Sequence, residues 1–178
     1  LLKGAAISSN TSAEGHAGNV TVNGGKLQID EGQTGEFTGI SSEAIYGSGD
    51  AGTVEVNVKE TAALINTAEI SSSTITPGDA GKVTVTVDGL LKIINGAEIS
   101  SNTSGEGNAG VVTISANELS MNGQGKYVAS ISSQAFADSQ GNAGTVEVNV
   151  DGLIELLNGA EIASNTATVG NAGNVTVN

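Results

Sequence analysis

One polar position recurs directly before a repeated Ala-Gly pair, and its residue types could bind a cation. In chain order this position holds His16, Asp50, Asp79, Asn108, Asn142 and Asn171. Asp50 and Asp79 are one repeat apart, so their carboxylates should stack on neighbouring coils and repel each other. A calcium ion with backbone carbonyl oxygens would relieve that repulsion, so these two residues are candidate calcium ligands. The interpretation that we favour is a column of turn residues whose side chains bond nearby backbone and one another, with no metal and no cofactor.

The residues that could support catalysis are too far apart to act together. Glu55 and Glu147 occupy equivalent outward positions three repeats apart, which is roughly 14 Å at the spacing of neighbouring strands. His16 is the only histidine, and no partners for a zinc site or a catalytic triad accompany it. The chain also lacks arginine, which excludes an arginine base. We therefore predict that the protein is not an enzyme, with a polysaccharide-degrading β-helix enzyme as a less favoured alternative.

Three surface features could contact a ligand. Outward serines of one strand would form a hydroxyl face suited to carbohydrate, namely Ser8, Ser41, Ser71, Ser100 and Ser132. The four aromatic residues lie in or near the two longer repeats and mark candidate contact loops, namely Phe37, Tyr46, Tyr127 and Phe136. A row of threonines on another strand could bind ice, but Glu55 and Glu147 interrupt it. A solvated sheet surface of good strand formers would explain the serine and threonine rows equally well.

These residues are positioned by a repeat. The Ala-Gly pair begins at Ala17, Ala51, Ala80, Ala109, Ala143 and Ala172, at intervals of 34, 29, 29, 34 and 29 residues. The first three intervals together make a longer period of 92 residues. Periods of this size are typical of solenoids, in which each repeat packs only on its neighbours.

Each repeat contains three extended pieces. In the repeat that begins at Ala80, residues 83–87 alternate valine with threonine, which predicts a strand with one buried face. Asp88-Gly89 should end this strand, and Asn95-Gly96 should end a second piece at 91–93. In the third piece, residues 97–103, we expect Ile99 and Ser101 to face inward. The 34-residue repeats should carry their extra residues as loops at 32–39 and 123–130.

Composition and charge restrict the partners. The chain has 19 acidic and 6 basic residues, a net charge of −13, no cysteine and 26 glycines. Because nucleic-acid affinity depends on lysine and arginine contacts to phosphate, a nucleic-acid ligand is not expected. No stretch approaches the ~20 apolar residues needed to span a bilayer, so we predict no membrane insertion.

The repeat at 96–114, GAEISSNTSGEGNAGVVTI, resembles the repeats of filamentous-haemagglutinin-like exoproteins. The resemblance covers essentially all 178 residues. It implies a right-handed parallel β-helix that forms a shaft, secreted by the two-partner route to the outer surface of a Gram-negative bacterium, with similar repeats common in cyanobacterial members.

The sequence thus predicts an all-β solenoid of about six coils of 29–34 residues, with three short strands per coil. We expect residues 1–178 to be a single segment of a longer protein. Its predicted function is that of a structural shaft of an extracellular adhesin-like protein. The predicted partners are copies of itself end to end or neighbouring repeats, and host-cell or matrix glycans. A carbohydrate-binding module is the alternative function, and an ice-binding protein is a less favoured one.

Overall fold

The computed structural model describes residues 1–137, 139–167 and 169–178, and it is an all-β solenoid of about six coils. The strands are β1 (Ala6–Ser8), β2 (Val20–Asp30), β3 (Gly39–Ser41), β4 (Val54–Ile65), β5 (Glu69–Ser71), β6 (Lys82–Ile94), β7 (Glu98–Ser100), β8 (Val111–Asn122), β9 (Ala129–Ser132), β10 (Val146–Val150), β11 (Ile154–Leu157), β12 (Ala160–Ala163) and β13 (Val175–Val177). Within these described ranges no helix is long and apolar enough to cross a membrane.

The strands form two parallel sheets, and each sheet takes strands from successive coils. The short strands pair in the order β1-β3-β5-β7-β9-β12, and the long strands in the order β13-β10-β8-β6-β4-β2. We number the coils from their Ala-Gly pairs, so that coil 1 is 17–50, coil 2 is 51–79, coil 3 is 80–108, coil 4 is 109–142 and coil 5 is 143–171. A line of single parallel bridges joins successive coils at equivalent positions between the short strand and the next Ala-Gly pair.

The core consists of columns of aliphatic side chains from equivalent positions. Val54, Val83, Val112 and Val146 are in register in the long sheet, and each is fully buried. In the short sheet, Ile40, Ile70, Ile99 and Ile131 form a second buried column. The alternation of the sequence therefore correctly predicted which side chains face inward.

The prediction of three separate strands per coil is wrong for the first four coils. Asp88 and Gly89 do not end the strand, because β6 continues through them to Ile94. The pairing of β6 with β8 instead shifts register between Val87 and Leu90. Only in coil 5 do Asp151 and Gly152 separate β10 from β11. The residues that flank the turn-forming pair, Val87 and Leu90, are in register with both neighbouring strands, so the strand continues across the pair.

The two longer coils carry their extra residues largely where the sequence placed them. The connection between the long and short strands spans 31–38 in coil 1 and 123–128 in coil 4, but only 66–68 and 95–97 in coils 2 and 3. We call the two longer connections loop 1 (31–38) and loop 4 (123–128). They project from the same corner of the solenoid, three coils apart.

A serine in each coil fastens the short strand to the Ala-Gly pair. Ser101 Oγ donates to Gly81 O at 2.6 Å, and equivalent bonds join Ser42 to Gly18 and Ser133 to Gly110, each at 2.6 Å. The glycine is required because a Cβ on Gly81 would lie within 3.0 Å of both Gly52 O and Ser72 Oγ. This arrangement, which we call the serine clasp, explains why Ile-Ser-Ser and Ala-Gly recur together.

Candidate functional site

The polar column before the Ala-Gly pairs is a continuous ladder of hydrogen bonds. Asp79 N donates to Asp50 Oδ1 at 2.8 Å, and Asn108 N donates to Asp79 Oδ1 at 2.7 Å. The same bond continues from Asn142 N to Asn108 Oδ1 at 3.0 Å. This confirms that Asp50 and Asp79 lie on adjacent coils. It also shows that the side chains bond backbone and one another, as the turn-residue alternative predicted.

His16 begins the same ladder. Its Nδ1 accepts a hydrogen bond from Asp50 N at 3.1 Å and also lies 3.2 Å from Asp50 Oδ2. The contact with Asp50 N requires an Nδ1 that carries no proton and the contact with Oδ2 requires an Nδ1–H, so His16 makes one or the other hydrogen bond with Asp50. Within the described part of the chain, no group of three or more His, Cys, Asp or Glu side chains converges to hold a metal ion.

The outward glutamates of the long sheet do not face each other. Glu55 is in register with Thr84, and Glu147 is in register with Thr113, so β6 and β8 lie between them. Each carboxylate accepts a hydrogen bond from an asparagine two residues later, Asn57 and Asn149 respectively. Their geometry is that of exposed side chains on a sheet surface.

The prediction of an exposed serine face is wrong for four of its five members. Ser8 is exposed, but Ser41, Ser71, Ser100 and Ser132 are each at most 1% exposed. These side chains do point away from the core, because they alternate with the buried isoleucine column. Longer polar side chains on the same face cover these serines. Two of the serines are hydrogen-bonded to such side chains: Ser71 Oγ donates to Glu43, and Ser132 Oγ donates to Glu98.

Three of the covering side chains form a carboxylate cluster, Glu43, Glu69 and Glu98, on coils 1, 2 and 3. Glu69 and Glu98 are in register on neighbouring strands. Burial raises the pKa of Glu69 to about 7, and the charges of Glu98 and Glu43 add to this effect. Burial also raises the pKa of Glu43. Glu69 and Glu98 occupy equivalent positions of successive repeats, and their partial burial depends on side chains from neighbouring coils.

The aromatic residues divide between two corners of the solenoid. Phe37 and Tyr127 lie in loops 1 and 4, whereas Tyr46 and Phe136 lie on the opposite side of the short sheet, before the Ala-Gly pairs. All four are exposed, from 43% for Phe37 and Phe136 to 64% for Tyr46. The structure therefore does not bring the four candidate contact residues into one site.

Loops 1 and 4 enclose a concave surface, the saddle, of about 260 Å³ over the short turns of coils 2 and 3. Its lining is Glu31, Gln33, Gly35, Asn66, Thr67, Asn95, Lys126 and Tyr127. The Tyr127 side chain lies across Gly96, where a Cβ would be 2.9 Å from the tyrosine Cβ. Lys126 Nζ lies 4.5 Å from the centroid of the same ring, a cation–π contact that fixes both side chains at the rim.

The floor of the saddle is a short asparagine ladder. Asn66 Nδ2 donates to Asp30 Oδ1 at 2.8 Å, and Asn95 Nδ2 donates to Asn66 Oδ1 at 2.7 Å. In coil 4 the equivalent position holds Gly123, which has no side-chain amide. Asn95 Oδ1 therefore accepts no hydrogen bond from the described residues. The ladder thus ends in an open acceptor beneath Tyr127.

One wall of the saddle is held by a buried carboxylate. Glu31 is only 4% exposed and accepts hydrogen bonds from Thr34 Oγ1 at 2.7 Å and from the backbone of Gly35. The bond from Thr34 contributes most to lowering the pKa of Glu31. Glu31 therefore shapes loop 1. The sequence predicted the two loops but not the lining residues Asn66 and Asn95, and it indicated only a turn at Asn95-Gly96.

Comparison of the chain with protein-family models, with curated proteins and with solved structures found no match. The function is therefore argued from the geometry described above.

Proposed function

We propose that this segment is the non-catalytic structural shaft of an extracellular, filamentous adhesin-like surface protein. The observation that supports it is the uninterrupted stacking of the coils. Both sheets, the bridges, the turn ladder and the serine clasp run through successive coils in the same register. Such a structure gains length without requiring a larger core. The resemblance of the repeats is the basis for proposing the outer surface of a Gram-negative bacterium as its location.

The same stacking supports a proposal for the partners of the shaft. Each coil exposes its backbone hydrogen-bonding groups only to the coil before it and the coil after it. We therefore propose neighbouring repeats of the same protein, or a second copy stacked end to end, as its principal partners. The acidic surface favours solubility and opposes side-by-side association.

Adding coils tests this proposal. Duplicating residues 51–142 inserts one 92-residue unit, because Ala51 and Ala143 occupy equivalent positions. The longer chain should be a rod longer by roughly 14 Å, three strand spacings, and it should unfold at a higher denaturant concentration. Electron microscopy and equilibrium unfolding measure the two effects. An extended chain of unchanged stability, or a globular particle, would contradict a shaft.

A second candidate function is carbohydrate binding, and the saddle favours it. An exposed tyrosine ring, an ammonium group, a glutamine amide and an open asparagine oxygen surround one concavity. This combination offers a stacking surface together with hydrogen-bond donors and acceptors, which are the groups that a neutral sugar residue requires. The 92-residue period would repeat the saddle along a longer shaft.

A glycan array with two matched variants distinguishes this function from a passive shaft. Tyr127→Ala removes the aromatic rim of the saddle, whereas Tyr46→Ala removes a tyrosine at the opposite corner that is more exposed. Saturable binding that is lost only in Tyr127→Ala supports the saddle. Absence of binding, or equal losses in both variants, contradicts it.

We also propose that the segment has no catalytic activity, since Glu55 and Glu147 are separated by two strands. Incubation with a panel of acidic polysaccharides should release no products. Product release that persists after removal of contaminating proteins would overturn this proposal.

A further inference from the structure

The asparagine ladder under the saddle is interrupted where loop 4 begins. Asn95 is in register with Gly123 of the next coil, since Ile94 pairs with Asn122. A Cβ at Gly123 would clash with the carbonyl oxygen of Tyr127, so this position has no room for another asparagine. In the lower rungs, an amide nitrogen donates to a side-chain oxygen of the coil before it, at 2.8 Å and 2.7 Å. Asn95 Oδ1 is thus an acceptor whose amide partner is missing.

The ammonium group at the rim of the saddle lacks a carboxylate partner. Lys126 Nζ lies 4.5 Å from the centroid of the Tyr127 ring. Among the described residues, the two ion pairs lie elsewhere on the solenoid. The carboxylate of the saddle, Glu31, instead accepts hydrogen bonds from Thr34 and from the backbone of Gly35. Lys126 therefore offers hydrogen-bond donors to an oxygen atom of a ligand.

The floor of the saddle is held in one conformation. Asn66, Thr67 and Asn95 have φ values of 56°, 58° and 55°, in the left-handed region. A β-branched residue such as Thr67 adopts this region only under strain, and coil 3 has Gly96 at the equivalent position. Thr67 Oγ1 donates to Glu31 Oε2 at 3.4 Å, which joins the floor to one wall. The surface is therefore formed before a ligand arrives, which reduces the ordering cost of binding.

The size and the charge of the saddle restrict its ligand. Its volume of about 260 Å³ lies below the ~300–1,000 Å³ of sites for drug-sized molecules, so it accommodates a single small ring. The Glu31 carboxylate in one wall and the net charge of −13 disfavour an acidic sugar. An ammonium group on a sugar would be repelled by Lys126. These limits favour a neutral sugar.

We propose that the saddle binds an N-acetylated amino sugar and recognises its acetamido group. The amide N–H supplies the missing rung by donating to Asn95 Oδ1, and the amide carbonyl accepts from Lys126 Nζ. An acetamido group carries its donor and its acceptor on separate atoms, so it serves the floor and the rim together, whereas a hydroxyl has both on one oxygen. The sugar ring packs on Tyr127. This inference rests on the proposed carbohydrate-binding function and names its ligand class.

Calorimetric titration with three trimers of the same linkage, those of N-acetylglucosamine, glucosamine and glucose, tests the proposal. The parent chain should bind the acetylated trimer about tenfold more tightly than the glucose trimer, the effect of one hydrogen bond to a charged group. The glucosamine trimer should bind no more tightly than the glucose trimer. Lys126→Met, which keeps the length of the side chain without its charge, should remove the preference for the acetylated trimer.

Two matched substitutions locate the acetamido group. Asn95→Gly removes the open acceptor and fits the φ of 55° at this position, and it should weaken binding of the acetylated trimer about fivefold. Asn142→Gly removes a similar bond at another corner, where Asn142 Nδ2 donates to Asn108 Oδ1 at 2.9 Å. It should leave the affinity unchanged. Equilibrium unfolding verifies that each variant folds.

Equal affinity of the parent chain for the acetylated and glucose trimers would overturn the inference, while carbohydrate binding through Tyr127 would stand. Equal losses in Asn95→Gly and Asn142→Gly would also overturn it, because the acetamido group would then lie outside the saddle. If the parent chain binds none of the trimers but binds another glycan in a Tyr127-dependent manner, the sugar class is wrong and the carbohydrate function survives. Absence of binding to any glycan contradicts both proposals.

Discussion

From the raised pKa of Glu69 we predict that the contribution of this residue to the free energy of unfolding falls as the pH rises through the weakly acidic range. The pKa of Glu69 is about 7 in the folded chain against 4.5 as its ordinary value. Between these values the folded state binds more protons than the unfolded state, so the free energy of unfolding decreases as the pH increases. Glu69 therefore favours folding least above pH 7.

The magnitude follows from the difference between the two pKa values. Because each pKa unit is worth about 1.4 kcal/mol, this difference corresponds to about 3 kcal/mol. Because the Glu69 side chain is only partly buried, solvent screening reduces this, and we expect about 1–3 kcal/mol. Replacing Glu69 with glutamine should remove this contribution. The variant should gain about 1–3 kcal/mol over the parent chain between pH 4.5 and pH 7.5.

Urea unfolding at pH 4.5, 6.0 and 7.5 in the presence of a chelator measures the effect. The quantity to compare is the difference between Glu69→Gln and the parent chain, because Glu43 and Glu31 titrate in both. Glu55→Gln, an exposed carboxylate of the long sheet, is the matched control and should show a smaller change. A difference between Glu69→Gln and the parent that is independent of pH would refute the reasoning.

Three further substitutions test the coil architecture by equilibrium unfolding. Gly81→Ala should destabilise the chain by about 3 kcal/mol through a clash with Gly52 O. Gly15→Ala, where a Cβ would meet nothing within 4 Å, should have little effect. Equal effects of the two substitutions would argue against the close stacking of the Ala-Gly glycines. Ser101→Ala should cost about 1–3 kcal/mol by leaving Gly81 O without its hydroxyl donor, and a loss no larger than that of the exposed Ser12→Ala would contradict the serine clasp. Glu55→Thr, on the exposed sheet surface, should change stability by less than about 0.5 kcal/mol, and a large loss would reveal a structural role for that glutamate.

The solenoid was predictable because its core obeys a local rule. Alternation within a strand decides which side chain faces inward, and the repeat decides which strand lies beside it. The buried columns of Val83 and Ile99, the two longer loops and the adjacency of Asp50 and Asp79 all follow from these two facts. The predicted strand break at Asp88 was wrong because the flanking residues Val87 and Leu90 pair with strands on both sides, an effect that turn propensity alone does not contain.

The candidate sites were less predictable because they depend on side chains from different coils. Ser100 was correctly placed on the outer side of its strand but expected to be exposed. Its burial depends on the length of the side chains around it. The position that holds Asn102 in coil 3 holds the shorter Ser73 in coil 2. Similarly, the saddle exists because loops 1 and 4 flank two coils with short turns, and Gly123 ends the asparagine ladder.

The sequence by itself determined the coil, its register and its inward face, because a repeated alternation has one way to bury its aliphatic residues in parallel strands. The tertiary structure alone decided which outward groups are shielded, paired or left open. Shielding raises the pKa of Glu69 and leaves Ser100 Oγ without a partner, and both result from contacts between residues about 30 positions apart. Chemistry on this otherwise regular surface therefore arises where equivalent positions of successive coils hold different residues.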